Sequence, residues 1–443
     1  MIKINKEQKS HYFERYLFND LKKWIDRKEI FAIKGPRQSG KTTLLRMLQE
    51  WLEKEKGINP KNIIFITFED REILEKFSKS PKEFVKSFIG SEARERFYFL
   101  IDEFHYLEDG GQKLKLLYDL FDNVKFIITG SSSLELTGKT AKFLVGRIFS
   151  FHLWQFSFGE FVNVKSQQLY NVYRERSKLI KNFIYNGGDF SVPGKDIFSK
   201  DFEKLFEEYN ILGGYPEVLK TDDEETKRLV LKNIFDTYIS RDIIELLKFT
   251  DYSKFKTILS LLAVQIGNLI NYNNLAADSK SYFKEVKNYL SILEETFVTS
   301  LLKPFFTNKA SELKKNPKAY FIDLGLRNYL LSNFNDLSLR TDAGQIVENT
   351  IFSQLKMDQE DKFLIKYWRT LGGAEVDFII EKPKDLLPVE IKYSSFKSAR
   401  ISRGFRSFLS EYKPKRAIVF TKNFWGDLKI NSTSVKFIPV WYL

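Results

Sequence analysis

The chain has 443 residues, of which 43% are hydrophobic and 16% aromatic, so it is long enough for two to four domains with packed cores. Its 71 Lys and Arg exceed its 58 Asp and Glu, and the formal net charge of +13 favours polyanionic partners, nucleic acid ahead of a membrane surface. The sequence has no Cys and only three His, which excludes disulfides and thiolate metal sites and leaves carboxylates and hydroxyls as metal ligands.

The first motif follows a short apolar run, residues 30–33, of the kind found in a buried parallel strand. This run enters GPRQSGKT, residues 35–42, which matches the P-loop pattern GxxxxGK[ST] and precedes a helical pattern. Glycines let backbone N–H groups surround phosphates, and the helix N-terminus adds positive potential. We therefore expect Lys41 to contact the β- and γ-phosphates and Thr42 to hold Mg²⁺. The candidate nucleotide-binding residues of this segment are Gly35, Pro36, Arg37, Gln38, Ser39, Gly40, Lys41, Thr42 and Thr43.

Two later apolar runs, residues 97–101 and 124–130, also read as strands that end in polar residues. The first runs directly into Asp102 and Glu103. Downstream of a P-loop, this pattern predicts that Asp102 supports the Mg²⁺ shell and that Glu103 polarises the attacking water. The second is followed by three serines, of which Ser131 is expected beside the γ-phosphate.

The segments GPRQSGKTTLL, FYFLIDEFHYL and FIITGSSS resemble the AAA+ superfamily, and more narrowly its archaeal-type and STAND-related ATPases. In that group a Gly-Arg pair follows the sensor strand and precedes a run similar to PLSFxEF, and here Gly146-Arg147 precedes IFSFHLWQFSFGEF. The resemblance implies an ATP- and Mg²⁺-dependent hydrolase. It marks Arg147 as a candidate catalytic γ-phosphate arginine, acting in cis or from a neighbouring subunit, and an ordinary ion-paired arginine is the alternative.

The middle of the chain changes character after residue 250, where three helical patterns and two strand patterns describe a winged helix. Lysines on its third helix and on its wing are expected to meet DNA phosphates, which gives salt-sensitive affinity and little sequence specificity. A winged helix used only for protein contact is the alternative. The lysines expected to face DNA are Lys280, Lys284, Lys287, Lys314, Lys315 and Lys318.

The last third contains GGAEVDFIIEKPKDLLPVEIKYS, residues 372–394, which reads as two neighbouring strands. A hairpin brings Asp377 beside Glu390 and Lys392, which alternate with apolar residues. Upstream, Glu348 lies on the apolar stripe of a predicted helix, where a carboxylate needs a partner or a metal.

These four residues resemble the PD-(D/E)xK nuclease superfamily. The resemblance implies that Glu348, Asp377 and Glu390 hold Mg²⁺ and that Lys392 is catalytic, orienting the water or offsetting charge on the phosphorane. Val376 stands where the motif has proline, a departure that many members share, and an exposed Glu-Lys pair on a strand is the alternative. Arginines at positions 400, 403 and 406 are expected on one helical face nearby.

The fold class expected from these patterns is α/β, with a P-loop AAA+ parallel sheet domain, a helical lid, a winged-helix domain and a C-terminal α/β restriction-endonuclease-like domain. The expected boundaries are residues 1–160, 161–250, 251–322 and 323–443. This order resembles a family of prokaryotic and archaeal ATPases with a C-terminal domain of uncharacterised function.

The favoured hypothesis is an Mg²⁺-dependent ATPase that binds DNA through its phosphates, with cleavage at the C-terminal site left open. The alternatives are a nucleotide-gated switch with a catalytically inactive nuclease-like fold, which binds DNA or a protein, and a scaffold that binds ATP without turnover. The polar start and the lack of a long apolar run predict a cytoplasmic protein without a membrane span. Homo-oligomerisation and a protein partner are left open.

Overall fold

The computed structural model describes residues 12–89, 95–130, 143–193, 196–242, 251–306, 315–359 and 362–443. The chain divides into two compact units, an N-terminal unit Met1–Trp154 and a C-terminal unit Gln155–Leu443. In the part of the chain that the structure describes, no helix is both long and apolar enough to cross a membrane.

The N-terminal unit is built on five parallel strands in the order β2-β3-β4-β1-β5. The strands are β1 (Ile30–Lys34), β2 (Ile63–Thr67), β3 (Phe97–Asp102), β4 (Val124–Gly130) and β5 (Ile148–His152). Most of them are apolar throughout because helices cover both faces of the sheet. The helices of this unit are α1 (Tyr16–Trp24), α2 (Lys41–Lys54), α3 (Arg71–Lys79), α4 (Pro81–Lys86) and α5 (Gly110–Leu120).

Two hydrophobic layers hold this sheet, one on each face. Phe31 and Ile33 of β1 pack with α1 and α2, whereas Ile30 and Ala32 of the same strand pack with α3, α4 and α5. Since all five strands run in one direction, their carboxyl ends meet at one edge. That edge carries the loop after β1, Asp102 at the end of β3 and Thr129 near the end of β4.

The first part of the C-terminal unit is helical. Its helices are α6 (Phe158–Lys165), α7 (Gln167–Asn186), α8 (Ser199–Leu212), α9 (Pro216–Lys220) and α10 (Glu224–Ile234), followed by the π-helical segment Phe235–Asp242. The polar segment 163–200 is largely occupied by α7, which begins at a Ser166 cap and ends at Gly187 with φ +77°.

Three helices and an antiparallel strand pair follow. They are α11 (Tyr252–Val264), α12 (Tyr272–Asp278), α13 (Phe283–Glu295), β6 (Thr299–Leu302) and β7 (Lys318–Phe321). Lys280, Lys284 and Lys287 are exposed, as expected, and Lys314 lies outside the described residues. The expectation for Lys318 was wrong, because this residue is only 2% exposed and its side chain contacts the carboxylates of Glu348 and Glu375.

The unit ends in a six-stranded mixed sheet of order β12-β13-β11-β10-β9-β8. Its elements are α14 (Leu324–Leu330), α15 (Ala343–Gln359), β8 (Leu364–Arg369), β9 (Glu375–Lys382), β10 (Asp385–Lys392), α16 (Arg403–Tyr412), β11 (Arg416–Thr421), β12 (Gly426–Ile430) and β13 (Thr433–Pro439). Strands β9 and β10 are antiparallel with Val389 opposite Phe378, so the next positions in register are Glu390 and Asp377, on one face.

Candidate functional site

The loop between β1 and α2 has the backbone that a phosphate cradle requires. A Cβ at Gly35 would lie 2.0 Å from the Leu153 carbonyl oxygen, so no larger residue fits there. Gly40 takes φ +94° at the start of α2, a conformation that favours glycine. The loop residues expected from the sequence therefore lie together at the N-terminus of α2.

Lys41 is buried at this helix start, and its Nζ donates to the carbonyl oxygens of Gly35 and Pro36 at 3.0 and 2.9 Å. Burial lowers its pKa to about 8, although Glu103 and Asp102 act in the opposite direction. The Ser39 hydroxyl is also buried and has no hydrogen-bond partner. A buried ammonium held only by carbonyl oxygens, next to an unpaired hydroxyl, fits the phosphates of a nucleotide.

Asp102 joins the loop to the neighbouring strands. Its Oδ2 accepts from the Thr42 hydroxyl at 2.6 Å, and its Oδ1 accepts from the Thr129 hydroxyl at 2.5 Å. A hydroxyl and a carboxylate in contact are the hard oxygen ligands that Mg²⁺ takes beside a nucleotide. The two residues predicted to hold Mg²⁺ here are thus adjacent in the structure.

Glu103 follows Asp102 in the left-handed backbone region, with φ +50°. Its N–H donates to the Thr129 hydroxyl at 3.1 Å, and its Oε2 lies 3.0 Å from Nδ1 of His105. Burial alone would raise the pKa of Glu103, but the contact with His105 and the charge of Lys41 outweigh it, and the pKa falls below its ordinary value. The side chain is therefore held ionised, as a general base needs.

Two residues of this site were missed from the sequence. Thr129 binds both Asp102 and Glu103. Ser131, which the sequence placed beside the γ-phosphate, lies outside the described residues. Arg15 is 5% exposed and donates to the carbonyl oxygens of Ser39 and Trp154, so its side chain links the P-loop to the segment after β5. A polar residue ending an apolar strand is a readable signal for Thr129, whereas nothing in the pattern singles out Arg15.

Arg147 is not placed to contact a γ-phosphate in the same chain, contrary to that part of the prediction. It precedes β5, which runs parallel to β1, so it lies at the opposite edge of the sheet from the P-loop. Five strand residues at about 3.3 Å each separate the two edges. Its Nε instead pairs with Asp119 on α5 at 3.0 Å.

We expect Arg147→Ala to keep the ATP hydrolysis rate within about twofold of the parent in dilute protein, because the side chain cannot reach a nucleotide in its own chain. The lost exposed ion pair should lower stability by less than about 1 kcal/mol. The measurement is the steady-state rate as a function of protein concentration, with Lys41→Ala as the control that loses activity. A large loss that is independent of concentration would contradict this placement.

A second cluster of charged side chains lies in the C-terminal unit. Glu348 is on α15, on the face that also carries the buried Ile351 and Phe352, as predicted. Its Oε1 accepts from the Tyr320 hydroxyl at 2.6 Å and from Lys318 Nζ at 3.3 Å. The carboxylate on the apolar stripe thus has the partners that its position demands.

Asp377 on β9 is half-buried, and its Oδ2 accepts from the Ile391 N–H at 2.7 Å. Burial and then the charge of Glu348 raise its pKa to about 8. The adjacent Glu390 is 3% exposed, with one oxygen 3.2 Å from Lys392 Nζ and the other without a hydrogen-bond partner. The structure therefore brings the four predicted residues to one place.

Carboxylate oxygens, one of them buried and unpaired, suit a hard divalent cation in chemical terms. Yet among the described residues no group of three or more acidic or histidine side chains is arranged to hold a metal ion. A lysine occupies the cluster instead: Lys318 Nζ lies 3.3 Å from Glu348 and 2.5 Å from Glu375. As it stands, the cluster does not fit a metal.

A cavity of about 720 Å³ lies beside this cluster. Arg369 lines it and also pairs with Glu375 at 3.0 Å, whereas the carboxylates of the cluster are not among the lining residues. Aromatic and cationic side chains contribute to its walls. The aromatic and cationic residues that line it are Phe305, Phe306, Tyr367, Trp368, Tyr412, Lys315 and Arg369.

Comparison with known families finds a match for the segment that contains the P-loop site. A model described as an AAA domain matches residues 27–162, which include all five strands of the N-terminal sheet. Residues 27–162 are similar to AAA domains. Two models described as domains of unknown function, DUF8612 and DUF4143, match residues 203–337 and 343–443. The predicted P-loop ATPase fold is confirmed for the AAA domain, while the winged helix and the nuclease-like domain stay predictions.

Relatives from bacteria and archaea match the AAA domain together with the rest of the chain. An uncharacterized protein of Haemophilus influenzae is 26% identical over 438 residues, which cover 97% of this chain and 98% of the relative. An uncharacterized protein of Methanocaldococcus jannaschii is 24% identical and covers 93% of this chain and 87% of its own. The combination of AAA domain and C-terminal unit therefore occurs in both groups.

Among solved structures, the Aeropyrum pernix ORC2 protein in its ADP form is 13% identical, with a TM-score of 0.32, over 72% of this chain and 93% of its own. The Aeropyrum pernix ORC1 protein in complex with DNA is 11% identical, with a TM-score of 0.29, over 71% and 91%. Both scores are too low to carry an argument about function.

Proposed function

We propose that this protein is an Mg²⁺-dependent ATPase that binds DNA, and that its C-terminal unit holds a second site that cleaves phosphodiester bonds. The observation that carries the proposal is the set of contacts around Asp102, which links Thr42 of the P-loop to Thr129 and places Glu103 beside them. This set unites the parts needed for hydrolysis: a metal-ligand pair, a base and a polar residue that contacts both.

In the proposed hydrolysis, Thr42 and Asp102 would hold Mg²⁺, which would offset the negative charge of the phosphates. The Lys41 ammonium leaves the carbonyl oxygens of Gly35 and Pro36 and binds phosphate oxygens, which satisfy it better. Glu103, kept ionised, orients the attacking water. Thr129 fixes the backbone of Glu103 and so sets the position of its carboxylate.

DNA binding is supported by the net charge of +13 and by exposed cations in the C-terminal unit. Lys280, Lys284 and Lys287 lie at or near the N-terminal part of α13, next to Tyr282, which is 77% exposed. Three exposed arginines, Arg400, Arg403 and Arg406, lie at the start of α16 or just before it. Such groups contact phosphates without reading sequence.

Cleavage is proposed at the cluster around Asp377. The resemblance assigns Glu348, Asp377 and Glu390 to a divalent cation, although with the Lys318 ammonium in the cluster these carboxylates do not fit one as they stand. Lys392 is 45% exposed in its side chain, so its ammonium can reach a phosphate while remaining near Glu390. The aromatic cavity next to Arg369 offers space for a strand whose bases are unstacked.

The test of the proposal is the rate of ATP hydrolysis by the full chain, with Mg²⁺ or EDTA, with and without DNA, over a range of salt concentrations. We expect turnover that requires Mg²⁺, and DNA binding that weakens steeply as salt rises. Tight ATP binding without turnover in Mg²⁺ would overturn the proposed hydrolysis, and salt-independent or absent DNA binding would overturn the proposed partner.

A second candidate function is a nucleotide-gated switch whose C-terminal fold binds DNA or a protein and cuts nothing. It is favoured by the lysine at the carboxylate cluster, because an ammonium occupies the place a metal would need. The variant Lys392→Ala separates the two functions. It should abolish cleavage and spare ATP hydrolysis under the first, whereas under the second there is no cleavage to lose.

A further inference from the structure

His105 lies beside the proposed base, Glu103, and its ring is turned toward the carboxylate. It belongs to the short 3₁₀-helical turn Phe104–Tyr106, which begins directly after Glu103. Its Nδ1 lies 3.0 Å from Glu103 Oε2, and the two side chains are only 9% and 17% exposed. Both atoms are buried, and among the described residues no other group forms a hydrogen bond with either of them. The nitrogen and the oxygen therefore have only each other as polar partners.

The turn that carries His105 is fixed by packing on both sides. Phe104 is 1% exposed and belongs to the hydrophobic core, where its ring centroid lies 5.8 Å from that of Phe68. The His105 ring packs on Tyr106, with ring centroids 4.3 Å apart. The Tyr106 N–H donates to the Glu103 carbonyl oxygen at 3.2 Å and closes the turn. Nδ1 of His105 thus keeps its position relative to the Glu103 carboxylate.

Glu103 is consequently held at two points. Its backbone N–H donates to the Thr129 hydroxyl at 3.1 Å, and its carboxylate faces His105. An ionised carboxylate only accepts hydrogen bonds, so the Nδ1 that faces it carries a proton whether the ring is neutral or charged. Burial favours the neutral form of Glu103, but the contact with His105 and then the charge of Lys41 lower its pKa below the ordinary value.

We propose that His105 is a positioning residue for ATP hydrolysis, which holds Oε2 of Glu103 so that the other carboxylate oxygen, Oε1, is presented to the attacking water. His105 acts through Glu103 and not on the nucleotide itself. A displacement of about 1 Å at a reacting group can cost about 10²-fold in rate, so a carboxylate on a rotatable side chain gains from a fixed partner. This role rests on the proposed hydrolysis of ATP.

The experiment compares the turnover rate and the dissociation constant of ATP for the full-length parent, His105→Ala, His105→Asn and His105→Gln. Asparagine carries its amide nitrogen as many bonds from the backbone as Nδ1 of histidine, whereas glutamine carries it at the distance of Nε2. His105→Gln is therefore the matched control for the atom that faces Glu103. Tyr106→Phe is a second control, because it keeps the ring that packs on His105. The His105→Ala change is also made in the Glu103→Gln protein and measured in single turnovers.

We expect His105→Ala to lower turnover by about 10- to 100-fold while the dissociation constant of ATP stays within about twofold of the parent value. His105→Asn should recover turnover to within about threefold of the parent, and His105→Gln should stay as slow as His105→Ala. In the Glu103→Gln protein, His105→Ala should lower the rate by less than about threefold, because the carboxylate that His105 holds is already gone. Tyr106→Phe should behave as the parent.

Parent-like turnover by His105→Ala, or equal recovery by the asparagine and glutamine variants, would overturn the proposal. A full further loss in the Glu103→Gln protein, or a loss of ATP binding in parallel with turnover, would also overturn it, because His105 would then act independently of Glu103. Should His105→Ala fail to fold in thermal unfolding, the asparagine and glutamine variants decide the question: fast turnover by the first and slow turnover by the second supports the proposal, and equal rates overturn it.

The failure of this role is distinguishable from the failure of the proposed function. A parent that hydrolyses ATP, with His105 variants that hydrolyse it equally fast, would refute only the role of His105. A parent that binds ATP and does not hydrolyse it in Mg²⁺ would refute the proposed hydrolysis and this role with it.

Discussion

Replacing Glu103 with glutamine is expected to lower the rate of ATP hydrolysis by about 10²–10⁴-fold while leaving ATP binding nearly unchanged. The substitution keeps the size of the side chain and removes only the carboxylate that would orient the attacking water. Since Thr42, Asp102 and Lys41 remain, the nucleotide and its Mg²⁺ should still bind. The measurement is a pair of values for each protein, the turnover rate and the dissociation constant of ATP.

The matched control is Glu108→Gln, which removes an exposed carboxylate five residues further along the chain. It should hydrolyse ATP at the parent rate. A Glu103→Gln protein that binds ATP and still turns it over at the parent rate would contradict the assignment of Glu103 as the base. Another group near Thr129 would then have to act as the base.

Replacing Asp377 with asparagine is expected to abolish DNA cleavage and, at pH 7, to make the fold more stable. Burial and Glu348 raise the pKa of Asp377 to about 8, so the folded chain near neutral pH disfavours the ionised form. An asparagine keeps an oxygen that can accept from the Ile391 N–H and removes the need to bury a charge. The gain in unfolding free energy should be at most about 4 kcal/mol at pH 7, because about three pH units separate this pH from the unfolded pKa, at about 1.4 kcal/mol per unit.

The pH dependence of this gain follows from linkage. Because the folded pKa is higher than the unfolded one, the stability that Asp377 contributes is present below about pH 4 and is lost as pH rises toward 8. The advantage of Asp377→Asn over the parent should therefore grow between pH 5 and about pH 8, as measured by urea unfolding. Asp427→Asn, at an exposed carboxylate of β12, should show no such growth. An Asp377→Asn protein that is less stable than the parent at every pH would contradict the raised pKa of Asp377.

The nucleotide site was readable from the sequence because its parts are local. The P-loop is a contiguous motif, and Asp102 and Glu103 follow an apolar run whose strand could be recognised. The sequence interpretation chose Ser131 and missed Thr129. Thr129 lies near the end of a strand parallel to β3, so it was predictable at the same edge of the sheet as Asp102. The place of Arg147 was also available, since a residue that precedes a strand parallel to β1 lies at the edge away from the P-loop.

Only part of the carboxylate cluster could be predicted from the sequence. The helical period placed Glu348 on a buried face, and strand alternation placed Glu390 and Lys392 together. Lys318 and Tyr320 could not be assigned as partners of Glu348, because they come from a strand 28 to 30 residues earlier whose docking depends on tertiary packing. A lysine in a run of lysines reads as exposed, and only the fold shows that this one is buried.

The central claim, that one chain joins an ATP-hydrolysing unit to a unit that cuts DNA, is tested most directly by a cleavage assay. Supercoiled, linear and single-stranded DNA would be incubated with the parent in Mg²⁺ or Mn²⁺, with and without ATP, beside Asp377→Ala and Lys392→Ala. We predict cutting by the parent that both variants lose while their ATP hydrolysis persists. Intact DNA under every condition, from a parent that hydrolyses ATP and binds the DNA, would contradict the claim and make the protein a switch.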